Sequence, residues 1–183
     1  MSASLSPIPT NQVAFTLTSS LNLSGAEISG FDPSSDRLYV TSNGGLLVVN
    51  MANPATPTLL TTINFTSLGF ATTDVTSVAV KNGIVAVALP NADKAQHGTV
   101  VFLNAADGAL LSSVSVGALP DMLTFTPDGN KVLVANEAEV VSDSNFGGAG
   151  SVSIIDISGG VAAATVRTAD FTAFNGQEAA LRV

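Results

Sequence analysis

The acidic residues that follow one predicted strand are candidates for metal chemistry. Glu137, Glu139 and Asp143 come directly after the strand-like run 131–136, and the Gly- and Ser-containing segment 144–150 follows them. Carboxylates on an irregular loop suit Ca²⁺, which takes about six to eight oxygen ligands and accepts irregular geometry. These three residues are therefore a candidate Ca²⁺ site, and a solvated acidic loop is the alternative.

Glu27 and Asp121 form a second candidate pair, because each begins the first predicted strand of a repeated unit. In a closed β-propeller that strand lies nearest the axis, so both carboxylates would face the central channel. Channel-facing carboxylates bind metal or serve as acid and base. The alternative is that both are strand-entry residues whose carboxylates accept hydrogen bonds from backbone N–H groups.

Other arrangements that support catalysis are scarce. The chain has one histidine, His97, in the polar segment 91–98, and no Gly-x-Ser-x-Gly motif that would present a serine nucleophile. A single imidazole cannot form a histidine-rich metal site, and the absence of Cys excludes thiolate ligands and thiol nucleophiles. We therefore expect His97 to be an exposed loop residue, and we predict no catalytic residue and no cofactor besides Ca²⁺.

The charge balance narrows the choice of partner. Six Lys and Arg residues stand against 14 Asp and Glu residues, which gives a net charge of −8. Such a surface repels phosphate backbones and anionic lipid, so we expect no nucleic-acid partner. The hydrophobic content of 46% includes no apolar run near the roughly 18 residues that cross a bilayer. Strands that are buried on both faces explain this hydrophobic content better than membrane insertion does.

Three short strand-like runs recur along the chain at a fixed interval. They begin at Arg37, Ile84 and Lys131, and both intervals are 47 residues. A period of this size, built from short strands, is typical of the blades of a β-propeller. The sequence therefore predicts an all-β fold, with each repeated unit folding into four antiparallel strands.

The predicted domain organisation follows from these units. Residues 1–12 are expected to form a leader and residues 13–183 a partial β-propeller. The predicted blades span about 26–65, 75–116 and 120–169, and residues 170–183 begin a further blade or form a tail. The start of the chain lacks the basic and apolar regions of a signal peptide.

Four segments carry a resemblance to a known family. They are Ala26-Glu27-Ile28 and the stretches 77–83, 116–129 and 150–156. The chain resembles, over about 13–182, the choice-of-anchor I proteins, exported bacterial β-propellers often labelled alkaline-phosphatase-like or cell-surface-glycoprotein-like. The resemblance implies an extracellular or surface-attached propeller, usually in a longer chain. The family typically has a second acidic pair where this chain has Gly148-Ala149-Gly150-Ser151, which weakens an inherited metal site.

Three predicted blades are fewer than the roughly four to eight of a closed propeller. We therefore expect the chain to form a homo-oligomer, such as two copies that join their open ends in a two-fold ring, or to need the remainder of a longer propeller. The predicted function is a surface-associated module for binding or assembly. The alternatives are a phosphoesterase-like hydrolase that uses acidic or metal-binding residues, or a fragment whose active site lies in missing blades.

Overall fold

The computed structural model describes residues 16–138, 140–142, 145–146, 149–177 and 180, so the predicted leader 1–12 lies outside the described residues. The strands are β1 (Ser29–Asp32), β2 (Arg37–Ser42), β3 (Gly45–Asn50), β4 (Thr58–Ile63), β5 (Ser77–Lys81), β6 (Ile84–Leu89), β7 (His97–Asn104), β8 (Leu110–Ala118), β9 (Pro120–Phe125), β10 (Lys131–Asn136), β11 (Val140–Ser142), β12 (Asn145–Phe146), β13 (Ser151–Asp156) and β14 (Thr165–Asp170). Short 3₁₀ turns lie at Thr66–Leu68, Val161–Ala163 and Thr172–Phe174.

The strands form three antiparallel four-stranded sheets, so the all-β prediction is confirmed. Sheet 1 is β1-β2-β3-β4, sheet 2 is β5-β6-β7-β8, and sheet 3 is β9-β10-β13-β14. The small hairpin β11-β12 is inserted between the second and third strands of sheet 3. The sequence predicted a loop over 144–150, whereas Asn145–Phe146 pairs with β11.

Two local features explain where individual strands begin and turn. The Asn82-Gly83 pair joins β5 to β6, and both residues have positive φ, 51° and 76°, as the predicted tight hairpin turn requires. The first strand begins at Ser29, two residues after the predicted start at Glu27. Backbone hydrogen bonds still join Thr41 to Glu27 and Ile28, but the Ile28 N–H donates to Thr41 Oγ1 at 3.0 Å instead of to a carbonyl, which interrupts the regular strand pattern.

Sheet 2 is buried on both faces because its two central strands alternate between two apolar clusters. In β6, Val85 and Val87 belong to the cluster shared with sheet 1, whereas Ala86 and Ala88 belong to the cluster shared with sheet 3. Side chains alternate across a strand with period two, so a continuous apolar run covers both faces. The apolar residues of sheet 2 therefore form hydrophobic core, and this accounts for part of the high hydrophobic content of the sequence.

The first strands of the three sheets lie side by side. Strand β5 contacts β1 on one side and β9 on the other. Gly30 allows the approach of β1, because a Cβ there would lie 2.9 Å from Val80 Cγ2. On the other side, the Leu123 backbone N–H donates to Ser77 Oγ at 3.2 Å, and Thr76 Oγ1 donates to the Pro120 carbonyl at 2.6 Å. These contacts fix the order of the sheets.

We predict that the contact between sheets 2 and 3 depends on Phe102, which is fully buried between them. Phe102→Ala should lower the free energy of unfolding by about 3–5 kcal/mol, because it removes buried apolar surface and leaves a cavity. Urea denaturation measures the loss. Leu110→Ala in β8 is the control, since Leu110 is 42% exposed and its removal should cost far less. Equal losses in both variants would contradict the two-faced packing of sheet 2.

Candidate functional site

Three carboxylates line one cavity near the beginnings of β1, β5 and β9. They are Glu27, Asp74 and Asp121, around a cavity of about 140 Å³. Sequence reasoning identified Glu27 and Asp121 and missed Asp74. The sequence does contain a signal for Asp74. It lies 47 residues after Glu27 and 47 residues before Asp121, the same interval that separates the repeated strand-like runs.

The backbone around this acidic cavity is held by hydrogen bonds between neighbouring strands and sheets. The Glu27 N–H donates to the Thr41 carbonyl at 3.3 Å, and the Thr76 N–H donates to the Ala88 carbonyl at 3.1 Å. Thr76 Oγ1 also donates to the Pro120 carbonyl, next to Asp121. The strands thus hold the backbone beside the three carboxyl groups in place.

The three carboxylates themselves are accessible to solvent. Glu27 and Asp74 are exposed and Asp121 is half-buried. Within the described residues, none of the three accepts a hydrogen bond from a backbone N–H group or forms an ion pair. The hydrogen bonds that a pure strand-entry role would supply are therefore missing from this part of the chain. The arrangement concentrates negative charge at one cavity.

The structure does not gather these groups into a metal centre. Among the residues that the structure describes, no set of three or more His, Cys, Asp or Glu side chains is placed to hold a metal ion. Glu137 is exposed directly after β10, and its N–H donates to the Leu119 carbonyl at 3.0 Å. Glu139 and Asp143 lie outside the described residues. The Ca²⁺ site at Glu137, Glu139 and Asp143 therefore stays a prediction.

His97 is exposed, as the sequence predicted, although it begins β7 rather than lying in a turn. Its carbonyl accepts a hydrogen bond from Asn91 Nδ2 at 3.3 Å. The residue lines a cavity of about 190 Å³ together with Phe70, Thr72 and Pro90. No acidic residue lines this cavity, but His97 also lines a second cavity of about 260 Å³, and Asp170 is among the residues around that one.

A further surface stands out on the side of sheet 3 that faces away from sheet 2. Its apolar residues are Met122, Leu133, Ala135, Val152, Ile154 and Ala169, which the strand registers place on one side of the sheet. We call this surface the outer face of sheet 3. Met122 is 51% exposed, and Leu133, Val152 and Ile154 are half-buried. Sequence reasoning expected open apolar ends but did not name these residues.

Charged residues border the outer face of sheet 3 on one side. Lys131 Nζ lies 2.8 Å from Asp156 Oδ2, and Arg167 lies beside them at a depression of about 390 Å³. The hydrogen bond from Lys131, followed by those from Ser158, holds the pKa of Asp156 well below its ordinary value. The lowered pKa favours the ionised carboxylate, so the pair persists to lower pH than it would with an unperturbed aspartate.

In sheets 1 and 2, the next sheet packs on the residues at the positions equivalent to Leu133 and Ile154. The cross-strand pairs between the second and third strands are Tyr39–Val48 in sheet 1, Ala86–Phe102 in sheet 2 and Leu133–Ile154 in sheet 3. The first pair belongs to the cluster between sheets 1 and 2, and the second to the cluster between sheets 2 and 3. Within the described residues, no further sheet packs on the third pair.

The chain matches the model of a known protein family. A family model described as the choice-of-anchor I domain matches residues 27–183. The chain belongs to the choice-of-anchor I family. The resemblance seen in the sequence is therefore confirmed, and membership in this family suggests a surface-associated module. No helix in the described part of the chain has both the length and the apolar character to cross a membrane.

Solved structures support the fold alone. The chain is similar to hydrazine synthase from Kuenenia stuttgartiensis, with a TM-score of 0.56 and 18% identity, over 79% of this chain and 37% of that chain. A 2S albumin seed protein from Dolichos matches with a TM-score of 0.44 and 14% identity, over 80% of this chain and 68% of that chain, and this likeness carries no argument. No curated protein sequence matches the chain.

We predict that the acidic cavity costs stability through charge repulsion. Asp74→Asn should raise the free energy of unfolding by up to about 0.5 kcal/mol at low ionic strength, because it removes one of three like charges. In about 1 M NaCl the gain should shrink, since the Debye length falls to about 3 Å. The control is Asp93→Asn, at an exposed turn where the new side chain can still accept from the Ala95 N–H. Urea titrations that show equal changes in both variants would contradict the repulsion.

The Ca²⁺ hypothesis for the loop after β10 has its own test. The hypothesis predicts that calorimetric titration with CaCl₂ gives a saturable heat by millimolar metal, and that Glu137→Gln reduces this heat because one oxygen ligand loses its charge. Glu27→Gln in the acidic cavity is the matched control and should leave the heat unchanged. Absence of heat at millimolar Ca²⁺ would leave Glu137 as part of a solvated loop.

Proposed function

We propose that this chain is an extracellular, surface-associated β-propeller module that acts through binding or assembly. Its three sheets serve as propeller blades, with β1, β5 and β9 as the innermost strands. Two observations support the blade arrangement: the sheets pack face to face through two apolar clusters, and their first strands lie side by side. The choice-of-anchor I family supports the location.

The outer face of sheet 3 carries this proposal. Leu133 and Ile154 occupy the positions that in sheets 1 and 2 are buried by the next sheet. A contiguous apolar surface with a charged border is typical of a protein interaction site. The partner is another sheet of the same kind, contributed by a second copy of this chain or by further blades of a longer propeller.

In such an assembly the central channel is lined at one end by Glu27, Asp74 and Asp121. The cavity that they line lies beside the first strands of the sheets, which are the innermost strands of a propeller. The further blades that complete the ring would place additional residues beside this cavity. The carboxylates would then attract cationic groups to the end of the channel.

We predict that the apolar surface of sheet 3 is available to a partner and that Val152→Asp removes its binding. The wild-type chain should either self-associate at micromolar concentration or, if monomeric, bind a hydrophobic dye at this surface. Val152→Asp should abolish both signals without unfolding the protein, because the side chain points away from the core. Light scattering after size exclusion and dye fluorescence measure the two signals.

The matched control is Leu60→Asp in β4, an apolar-to-acidic change at a residue that is 49% exposed in sheet 1. It should leave association and dye binding unchanged. A wild-type chain that is monomeric and binds no dye would overturn the proposed function. Labelling of intact cells with an antibody against the chain tests the surface location, and a signal that appears only after lysis would contradict it.

A further inference from the structure

We propose that the cleft between sheets 2 and 3 binds a small ammonium compound that also carries a hydroxyl group. The cleft is the cavity of about 260 Å³ that His97 and Asp170 line. Pockets for drug-sized ligands measure about 300–1,000 Å³, so this cleft suits a smaller molecule. It lies on the opposite side of sheet 3 from the outer face, so its ligand is independent of the proposed function.

The contact between sheets 2 and 3 is apolar along most of its length and polar at one end. Val134 and Ile155 of sheet 3 belong to the cluster shared with sheet 2, and Val166 packs against it. Side chains on one face of a strand recur every two residues. At one end of the same face, strands β10, β13 and β14 therefore present polar residues, which are Asn136, Ser151, Ser153, Thr168 and Asp170.

The repeat shows that the fold does not require polar residues at this end. Asn136 lies 47 residues after Leu89, and each of the two ends the second strand of its sheet. Leu89 is buried in the apolar cluster between sheets 1 and 2. Asn136 is 3% exposed, although its Oδ1 atom accepts no hydrogen bond. Burial of an unpartnered amide oxygen is unfavourable, so packing alone does not explain an amide at this position.

Asn136 instead holds Ser151 at the wall of the cleft. Asn136 Nδ2 lies 3.1 Å from Ser151 Oγ, 3.3 Å from the Ser151 carbonyl oxygen and 3.0 Å from Ser153 Oγ, and it donates to these atoms. Gly117, which also lines the cleft, makes room for the amide, because a Cβ there would lie 2.6 Å from Asn136 Cγ. Since Ser151 Oγ accepts from the amide, its own hydrogen can be donated to a ligand.

The charge of the cleft selects a cation. Asp170 Oδ1 accepts hydrogen bonds from Thr172 Oγ1 at 2.7 Å and from the Thr172 N–H at 3.0 Å, and these bonds hold the pKa of Asp170 below its ordinary value. Among the residues that the structure describes, neither Lys nor Arg lines the cleft, and Asp170 forms no ion pair. An ammonium group on the ligand supplies the partner of this carboxylate, whereas an anionic ligand would be repelled.

The other residues around the cleft favour a hydroxyl group on the same ligand. The hydroxyl groups of Ser151 and Thr168 both donate and accept, and the neutral imidazole of His97 has one donor and one acceptor nitrogen. A ligand hydroxyl also donates and accepts, so it can bond to these groups without adding charge. The remaining residues of the wall are small and leave space for the ligand; they are Ala95, Gly117, Ala118 and Ala149.

NMR titration of the isotope-labelled chain with ethanolamine tests the proposal, because this probe carries one ammonium and one hydroxyl group. We expect saturable shifts of the backbone amide signals of Gly117, Ala118 and Thr168, with a dissociation constant in the millimolar range. Ethylene glycol has a hydroxyl group in place of the ammonium group and is the neutral control, which should bind at least tenfold more weakly. Absence of a saturable shift, or equal affinity for the two probes, would overturn the proposal.

Asp170→Asn should weaken ethanolamine binding at least tenfold, because it removes the charge while the amide oxygen can still accept from Thr172. Asp107→Asn is the matched control. Asp107 is exposed in the turn at the opposite end of β7 from His97, and the new side chain can still accept from the Ala109 N–H. This variant should bind the probe as the wild type does. Equal losses in both variants would indicate an effect of net charge alone and overturn the site.

Asn136→Leu separates binding from folding, because it introduces the residue type that β6 has at Leu89. Urea denaturation should show no loss of stability, since an unpartnered buried oxygen is removed. The affinity for ethanolamine should nevertheless fall several-fold, because Ser151 loses the hydrogen bond that positions it. Unchanged affinity in a stable variant would contradict the positioning role of Asn136.

The same titration distinguishes the two cavities that His97 lines. Binding in the cleft shifts the signals of Gly117 and Thr168, which do not line the neighbouring cavity of about 190 Å³. Shifts confined to Phe70, Thr72 and their neighbours would place the probe in that other cavity. Such a result would overturn the cleft as the site, and it would leave the proposed function at the outer face of sheet 3 unaffected.

Discussion

The burial of sheet 2 on both faces is the constraint from which the rest of the structure follows. Its central strands β6 and β7 direct alternate side chains into two different clusters, so both faces of these two strands are covered. Small residues on one strand oppose a large residue on the next, as Ala86 pairs with Phe102. Because the central sheet must be covered twice, sheets 1 and 3 are held on opposite sides of it, and the three first strands are brought into line.

The connections between the sheets show how firmly that arrangement is imposed. Residues 64–76 join sheet 1 to sheet 2 and include Phe65 and Phe70, whose rings meet edge to face at 6.3 Å. Sheet 3 follows sheet 2 after the single residue Leu119, which has φ of +49° and precedes a proline. A bulky residue rarely adopts this conformation. Two very different connections nevertheless keep Glu27, Asp74 and Asp121 at the same place relative to their sheets.

The outer sides of sheets 1 and 3 differ in the burial of their central strands. Val40, Leu47 and Val49 of sheet 1 are buried, although Leu59 beside Val49 is exposed. The central residues on the outer side of sheet 3 are half-buried and are bordered by Lys131, Asp156 and Arg167. The acidic cavity lies elsewhere, at the beginnings of the first strands, so the two features can act independently.

The sequence by itself determined the local structure and the family. Its 47-residue spacing and alternation predicted three sets of four strands, and Asn82-Gly83 predicted a tight turn, because these depend on the preferences of neighbouring residues. The same spacing contained Asp74, which was missed because an exposed acid before a strand has no distinctive local pattern. Alternation shows which residues share a face but not what covers that face. Only the tertiary structure decided that Leu47 is buried and Ile154 is half-buried, because burial depends on contacts between residues far apart in the chain.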